Sequence, residues 1–92
     1  MILGFRHKGL RELFFEGSSK SVPSELTKRC FVRLDALNVA GSLRDLDLPG
    51  FHCHPLQGTS PERHSVAVNG PWRITFVWTD RGPDDVDLVQ YH

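Results

Sequence analysis

The sequence predicts a small α+β domain in which two amphipathic helices cover one face of a four-stranded antiparallel meander. Three observations carry this reading. Up to Gly41, apolar residues recur at spacings of three and four, the period of a helix face. After Leu48-Pro49-Gly50 the pattern changes to short runs of β-branched and aromatic residues bounded by turn chemistry. The chain has 92 residues, and a chain of that size buries roughly 60–65% of its unfolded surface, enough for one core. A single domain spanning 1–92 is therefore expected, with no room for a second domain or a large cofactor cage.

The elements follow in order. Ile2 to Phe5 is a short apolar run that reads as a strand. Lys8 to Phe15 reads as a helix with Leu10, Leu13 and Phe14 on one face. Gly17-Ser18-Ser19-Lys20-Ser21 is a loop. Pro23 suits the first turn of a second helix, whose N-terminal dipole Glu25 complements. Leu26, Cys30, Leu34 and Leu37 form its apolar face, and Gly41 ends it. Phe51–Gln57, His64–Val68, Trp72–Thr79 and Val86–Tyr91 are the expected strands. Asn69-Gly70 joins two of them as a hairpin. Gly58–Pro61 and Asp80–Pro83 are the other turns.

Net charge is zero, which speaks against a uniformly cationic nucleic-acid coat. The zero conceals two unlike halves. Met1–Arg44 holds eight basic and four acidic residues, whereas Asp45–His92 holds three basic and seven acidic ones together with four of the five histidines. Cys30 and Cys53 stand apart without a CxxC spacing, so both are expected to pack as small apolar side chains. No stretch approaches the ~20 apolar residues of a membrane span. Charge at Arg6 interrupts any secretory h-region. A cytoplasmic protein without membrane contact is expected.

Within Trp72–Thr79, alternation puts Trp72, Ile74, Phe76 and Trp78 on one face and Arg73, Thr75, Val77 and Thr79 on the other. The apolar set suits the helices, so Arg73 falls on the face they leave open. A meander can bring to that face a histidine of Phe51-His52-Cys53-His54 and the closing Tyr91-His92. Imidazole, phenol and guanidinium together suffice for phosphodiester cleavage without a metal. One group removes the 2′-OH proton, another protonates the leaving oxygen, and a cation meets the charge on phosphorus. A histidine metal site, His52 and His54 with His64 or His92, lacks the spacing and the carboxylate support that zinc favours. Periodicity alone leaves the function open.

A resemblance narrows it. Phe5-x-x-Lys8-Gly9-Leu10-x-x-Leu13-Phe14, Asp47-Leu48-Pro49-Gly50, His54-x-Leu56-x-Gly58, Val68-Asn69-Gly70-x-Trp72-Arg73-Ile74-Thr75-Phe76 and the final Tyr91-His92 resemble, over the whole chain, the HigB-type toxins. These are the plasmid maintenance killer proteins of the RelE/ParE superfamily. The resemblance implies a microbial RNase-like fold and the toxin of a type II toxin–antitoxin pair. It further implies a ribosome-dependent endoribonuclease that cuts mRNA without a metal or other cofactor. His54, Tyr91 and His92 match its acid–base positions, and Arg73 matches the phosphate contact. Gln57 and Gln90 stand where many relatives carry Lys and Asp, and are candidates for supporting roles. The basic helix residues Lys8, Arg11, Lys28, Arg29 and Arg33 would meet ribosomal RNA. The implied partners are a helix-turn-helix antitoxin, the ribosome with its mRNA, and operator DNA reached only through the antitoxin complex. The two glutamines also motivate an alternative: a non-enzymatic ParE-like toxin acting on a topoisomerase, or an attenuated partner-binding module.

Overall fold

The computed structural model describes residues 1–91. Helix α1 (Lys8–Glu16) and helix α2 (Thr27–Val39) precede strands β1 (His54–Leu56), β2 (Arg63–Asn69), β3 (Trp72–Thr79) and β4 (Gly82–Gln90). The strands form one antiparallel sheet in the order β1-β2-β3-β4. The expected α+β meander is therefore present, and among the described residues no helix is long and apolar enough to cross a membrane.

Helix α1 begins where the His7 side chain accepts a hydrogen bond from the Leu10 N–H at 3.1 Å, satisfying one of the donors a helix start leaves open. It ends at Gly17, whose φ of 83° and N–H bond to the Leu13 carbonyl form a left-handed cap. Gly9 has a packing reason to be glycine. A Cβ there would lie 2.8 Å from both His7 Cε1 and Ser21 Cβ. Gly9→Ala is thus expected to lower stability by about 1 kcal/mol in urea unfolding, because overpacking outweighs alanine's better helix propensity.

Helix α2 follows a single 3₁₀ turn at Ser24–Leu26, so the helix expected from Pro23 starts in two steps. Leu10 and Leu13 of α1 and Cys30, Leu34 and Leu37 of α2 are fully buried with Val66, Ile74, Phe76 and Val86 of the sheet. That is the spacing-derived face almost residue for residue. Phe31 lies outside it and is exposed. Burial pushes the Cys30 thiol up to about 11, consistent with an inert core side chain.

Three elements differ from expectation. The N-terminal run is not a ladder strand: it contributes one parallel bridge, Phe5 to Val86. Hydrogen bonds from Leu3 N to Pro83 O, Arg6 N to Val86 O and Val86 N to Gly4 O fasten it along the outer edge of β4. The first strand is shorter than Phe51–Gln57 because His52 adopts a φ of 46°, which breaks the extended run. Phe51 turns inward to be buried, and its carbonyl accepts from Ala67 N at 2.6 Å. Strand β4, conversely, starts four residues early, at Gly82. Only Asp80-Arg81 remains as the turn, since Thr79 pairs with Gly82 and Trp78 with Pro83.

Candidate active site

With the helices packed on one side of the sheet, the other side stays open, and no enclosed cavity occurs among the described residues. Cross-strand register defines what this face presents. His54 lies directly opposite Ser65, Ser65 opposite Thr75, and Thr75 opposite Asp87. Directly opposed residues share a face and have Cα atoms about 5 Å apart. The adjoining row runs Ala67, Arg73, Val89.

Two arginines lie flat across this surface in opposite directions. Arg63 reaches from β2 toward β4: it donates to Thr75 Oγ1 at 2.9 Å, to the Asp85 carbonyl at 2.7 Å and to Asp85 Oδ2 at 2.8 Å. Arg6 reaches the same carboxylate from the N-terminal segment. Arg73 reaches from β3 toward β1. Its Nε donates to Ser65 Oγ at 2.7 Å and its Nη2 to the His52 carbonyl at 2.9 Å. The two cations differ electrostatically. Arg63 is ion-paired with Asp85, a carboxylate it shares with Arg6, whereas Arg73 has no carboxylate within ion-pair distance among the described residues. The cover of these side chains explains why Ser65 and Thr75, though polar and on the helix-free face, are buried.

Sequence alternation placed Arg73 correctly, and the register brings His54 to the same patch through Ser65. The His54 ring is exposed, with Nδ1 3.1 Å from the Pro55 carbonyl. A carbonyl only accepts, so the neutral tautomer that satisfies this contact carries its proton on Nδ1 and leaves the Nε2 lone pair free. Tyr91 is anchored by its backbone N–H to the Pro71 carbonyl at 2.8 Å. It lies two residues beyond Val89, the cross-strand partner of Arg73, and so on the face of Arg73 by strand alternation. His92 lies outside the described residues.

The remaining candidates separate. Gln90 follows the parity of core-facing Leu88 and pairs with Trp72, so it sits on the opposite side of β4 from Tyr91. Gln57 is exposed in the turn after β1. His64 faces the helix side, its ring stacked on Phe76 at 6.2 Å, so it cannot join His52 and His54 around one ion. No group of three metal-binding side chains occurs among the described residues. Lys8, Arg11, Lys28 and Arg29 belong to the helix layer, across the sheet from Arg73. Arg11 lies over the exposed Phe15 ring at 5.6 Å. Arg33 is committed internally: Nε donates to the Ala67 carbonyl at 2.9 Å, Nη2 to the Gly50 carbonyl at 3.4 Å, and the guanidinium covers Phe51. It closes the edge of β2 that β1 is too short to cover. Cys53 is half-buried near the site, and burial raises its thiol pKa, helped by Asp47 and opposed by Arg73.

Sequence reasoning missed Arg63, Ser65, the His52 carbonyl and Asp85. Extending the second strand by one residue would have put Arg63 and Ser65 on one face by parity. The left-handed His52, with its redirected carbonyl, left no local signal.

Comparison with known proteins decides the family. The family described as RelE-like toxin of type II toxin-antitoxin system HigB matches residues 3–92. The chain belongs to the HigB-like toxin family. Among its relatives are Endoribonuclease HigB of Proteus vulgaris, 34% identical over 92 residues and the whole of both chains, and Toxin HigB-1 of Vibrio cholerae. The latter is 32% identical over 83 residues, covering 87% of this chain and 86% of that protein. As a HigB-like toxin it is the toxic half of a type II toxin–antitoxin system, and such a toxin has an antitoxin partner. In this HigB-like toxin two arginines thus lie on the helix-free face, and one of them has no carboxylate within ion-pair distance among the described residues.

Proposed function

We propose that this toxin is an endoribonuclease that cuts mRNA on the ribosome by 2′-OH attack. The observation that carries the reading is Arg73, fixed beside His54 on an open face by neutral acceptors. Its guanidinium binds the scissile phosphate and stabilises the charge that develops on it. His54 Nε2 takes the 2′-OH proton, and Tyr91 and His92 supply and relay the proton to the 5′-oxygen leaving group. The products are a cyclic phosphate and a 5′-hydroxyl, and the mechanism needs no cofactor. The name of the Proteus vulgaris relative, an endoribonuclease similar over its full length, supports the activity. The open face suits a substrate presented by a larger assembly, with Lys8, Arg11, Lys28 and Arg29 on the opposite layer contacting ribosomal RNA. Gln57, exposed in the turn after β1, is a neutral contact to the substrate, and Gln90 supports the end of β4. The chain acts as one domain in the cytoplasm. Its partner is a helix-turn-helix antitoxin, through which it reaches operator DNA.

The test is a primer-extension map after expression without antitoxin, comparing translated mRNA with the same mRNA made untranslatable. Cuts confined to the translated message are expected. Intact translated mRNA together with inhibited gyrase supercoiling would instead establish the ParE-like reading.

A further inference from the structure

The buried hydroxyl beside Arg73 has a definable task. A guanidinium carries five N–H groups. Arg73 spends Nε–H on Ser65 Oγ and one Nη2–H on the His52 carbonyl, leaving three. The two spent donors lie along one side of the guanidinium plane, so its end fork stays available to two oxygens of a phosphate. Both acceptors are neutral, so the holding contacts orient the cation without cancelling its charge. The neighbouring Arg63 shows the contrast: it is ion-paired with Asp85. Ser65 is fully buried and sits in mid-sheet, flanked by His54 and Thr75. Its Oγ is therefore a rigid acceptor, and the second acceptor is fixed by the left-handed turn at His52.

We propose that Ser65 is a positioning residue for the toxin's phosphate-binding cation. Its hydroxyl, with the His52 carbonyl, clamps one side of Arg73 and aims the other at the phosphodiester. The inference rests on the reading of Arg73 given above as the phosphate contact. It adds that the orientation of that group, and not its charge alone, is built into β2. Ser65→Ala keeps the charge and releases the clamp; Ser65→Cys keeps the volume and offers only a weak acceptor.

The experiment measures single-turnover cleavage of mRNA on programmed ribosomes by the full-length toxin, with the Arg73 Nε–Hε resonance recorded on the same proteins by NMR. With the clamp released, the saturating single-turnover rate constant is expected to fall about 10- to 100-fold, the scale of a misoriented catalytic group, while the toxin concentration giving half that rate stays near the wild-type value. The Nε–Hε resonance shifts and exchanges faster with water. In an Arg73→Ala background, Ser65→Ala is expected to add nothing, since its effect passes through Arg73. Ser65→Cys reports the same contrast should the alanine variant fold poorly. An unchanged single-turnover rate constant and an unchanged Nε–Hε resonance in the Ser65 variants would overturn the proposal. So would an equal loss from Ser65→Ala with and without Arg73. Wild-type cleavage by Arg73→Ala would instead sink the underlying phosphate assignment, while the resonance would still report whether Ser65 holds the guanidinium.

Discussion

Replacing Arg73 by alanine is expected to slow cleavage of translated mRNA by about 100- to 1,000-fold, the usual cost of removing one preorganised donor aimed at developing charge. The fold should survive the change. Arg73 bonds only to one hydroxyl and one carbonyl, and water can reach both once the half-buried side chain is gone. Arg73→Lys should fare little better, since an ammonium cannot hold Ser65 and His52 along one side while offering a planar fork on the other. Single-turnover rates on programmed ribosomes, paired with thermal midpoints, separate this from a stability effect. A folded Arg73→Ala toxin that cleaves at the wild-type rate would remove Arg73 from the mechanism.

The second large effect concerns stability. Arg63 is almost wholly buried and makes three hydrogen bonds that tie β2 to Thr75 and to Asp85. Arg63→Ala strands a buried threonine hydroxyl and a backbone carbonyl and breaks an ion pair. A loss of about 2–4 kcal/mol is expected, or a fall in Tm of about 10 °C or more for a chain of this size. The exposed side of Asp85 lets water replace part of the contact, which keeps the figure below that of a fully buried pair. A pH signature accompanies it. The hydrogen bond from Arg6, reinforced by its charge and by Arg63, holds the Asp85 carboxyl below its ordinary pKa against a smaller opposing effect of burial. A depressed carboxyl adds stability at pH values above its unfolded pKa, near 4, and that stability disappears as pH falls through the lowered folded value. Asp85→Asn should therefore flatten the acid limb of the stability curve, and Arg63→Ala should flatten it partly, because Arg6 remains. An acid limb identical to wild type in Asp85→Asn would show that other carboxylates carry it.

These contacts also mark where sequence reading works. The helix faces were legible because Leu10, Leu13, Cys30, Leu34 and Leu37 repeat at helical spacing and are buried together. Strand β3 was legible to the residue, and with it the open-face position of Arg73. Ile74 and Phe76 are fully buried while Trp72 and Trp78 pack at the margins of the core. The illegible parts depend on distant partners. Gly82-Pro83-Asp84-Asp85 has turn composition, yet pairs as strand because the β3 hairpin and the N-terminal segment flank it. Thr75 is buried on the face expected to be open because Arg63 crosses from β2 to cover it. Arg33 looks like a free basic residue by composition and is instead a plug for the β2 edge. Alternation put Arg73 on the open face, and cross-strand register puts His54 there with it. The clamp around Arg73 depended on cross-strand register and on one left-handed residue.

The fastening of residues 3–6 along β4 bears on the order of folding. Arg6 and Asp85 are 79 positions apart, so the segment that holds the outer edge of β4 is separated from it by both helices and three strands. Closing so long a loop is entropically costly and tends to come late in folding. A chain in which β4 has not docked also lacks Val89, the cross-strand partner of Arg73. Completion of the Arg73 face therefore depends on strand β4 docking between β3 and the N-terminal segment.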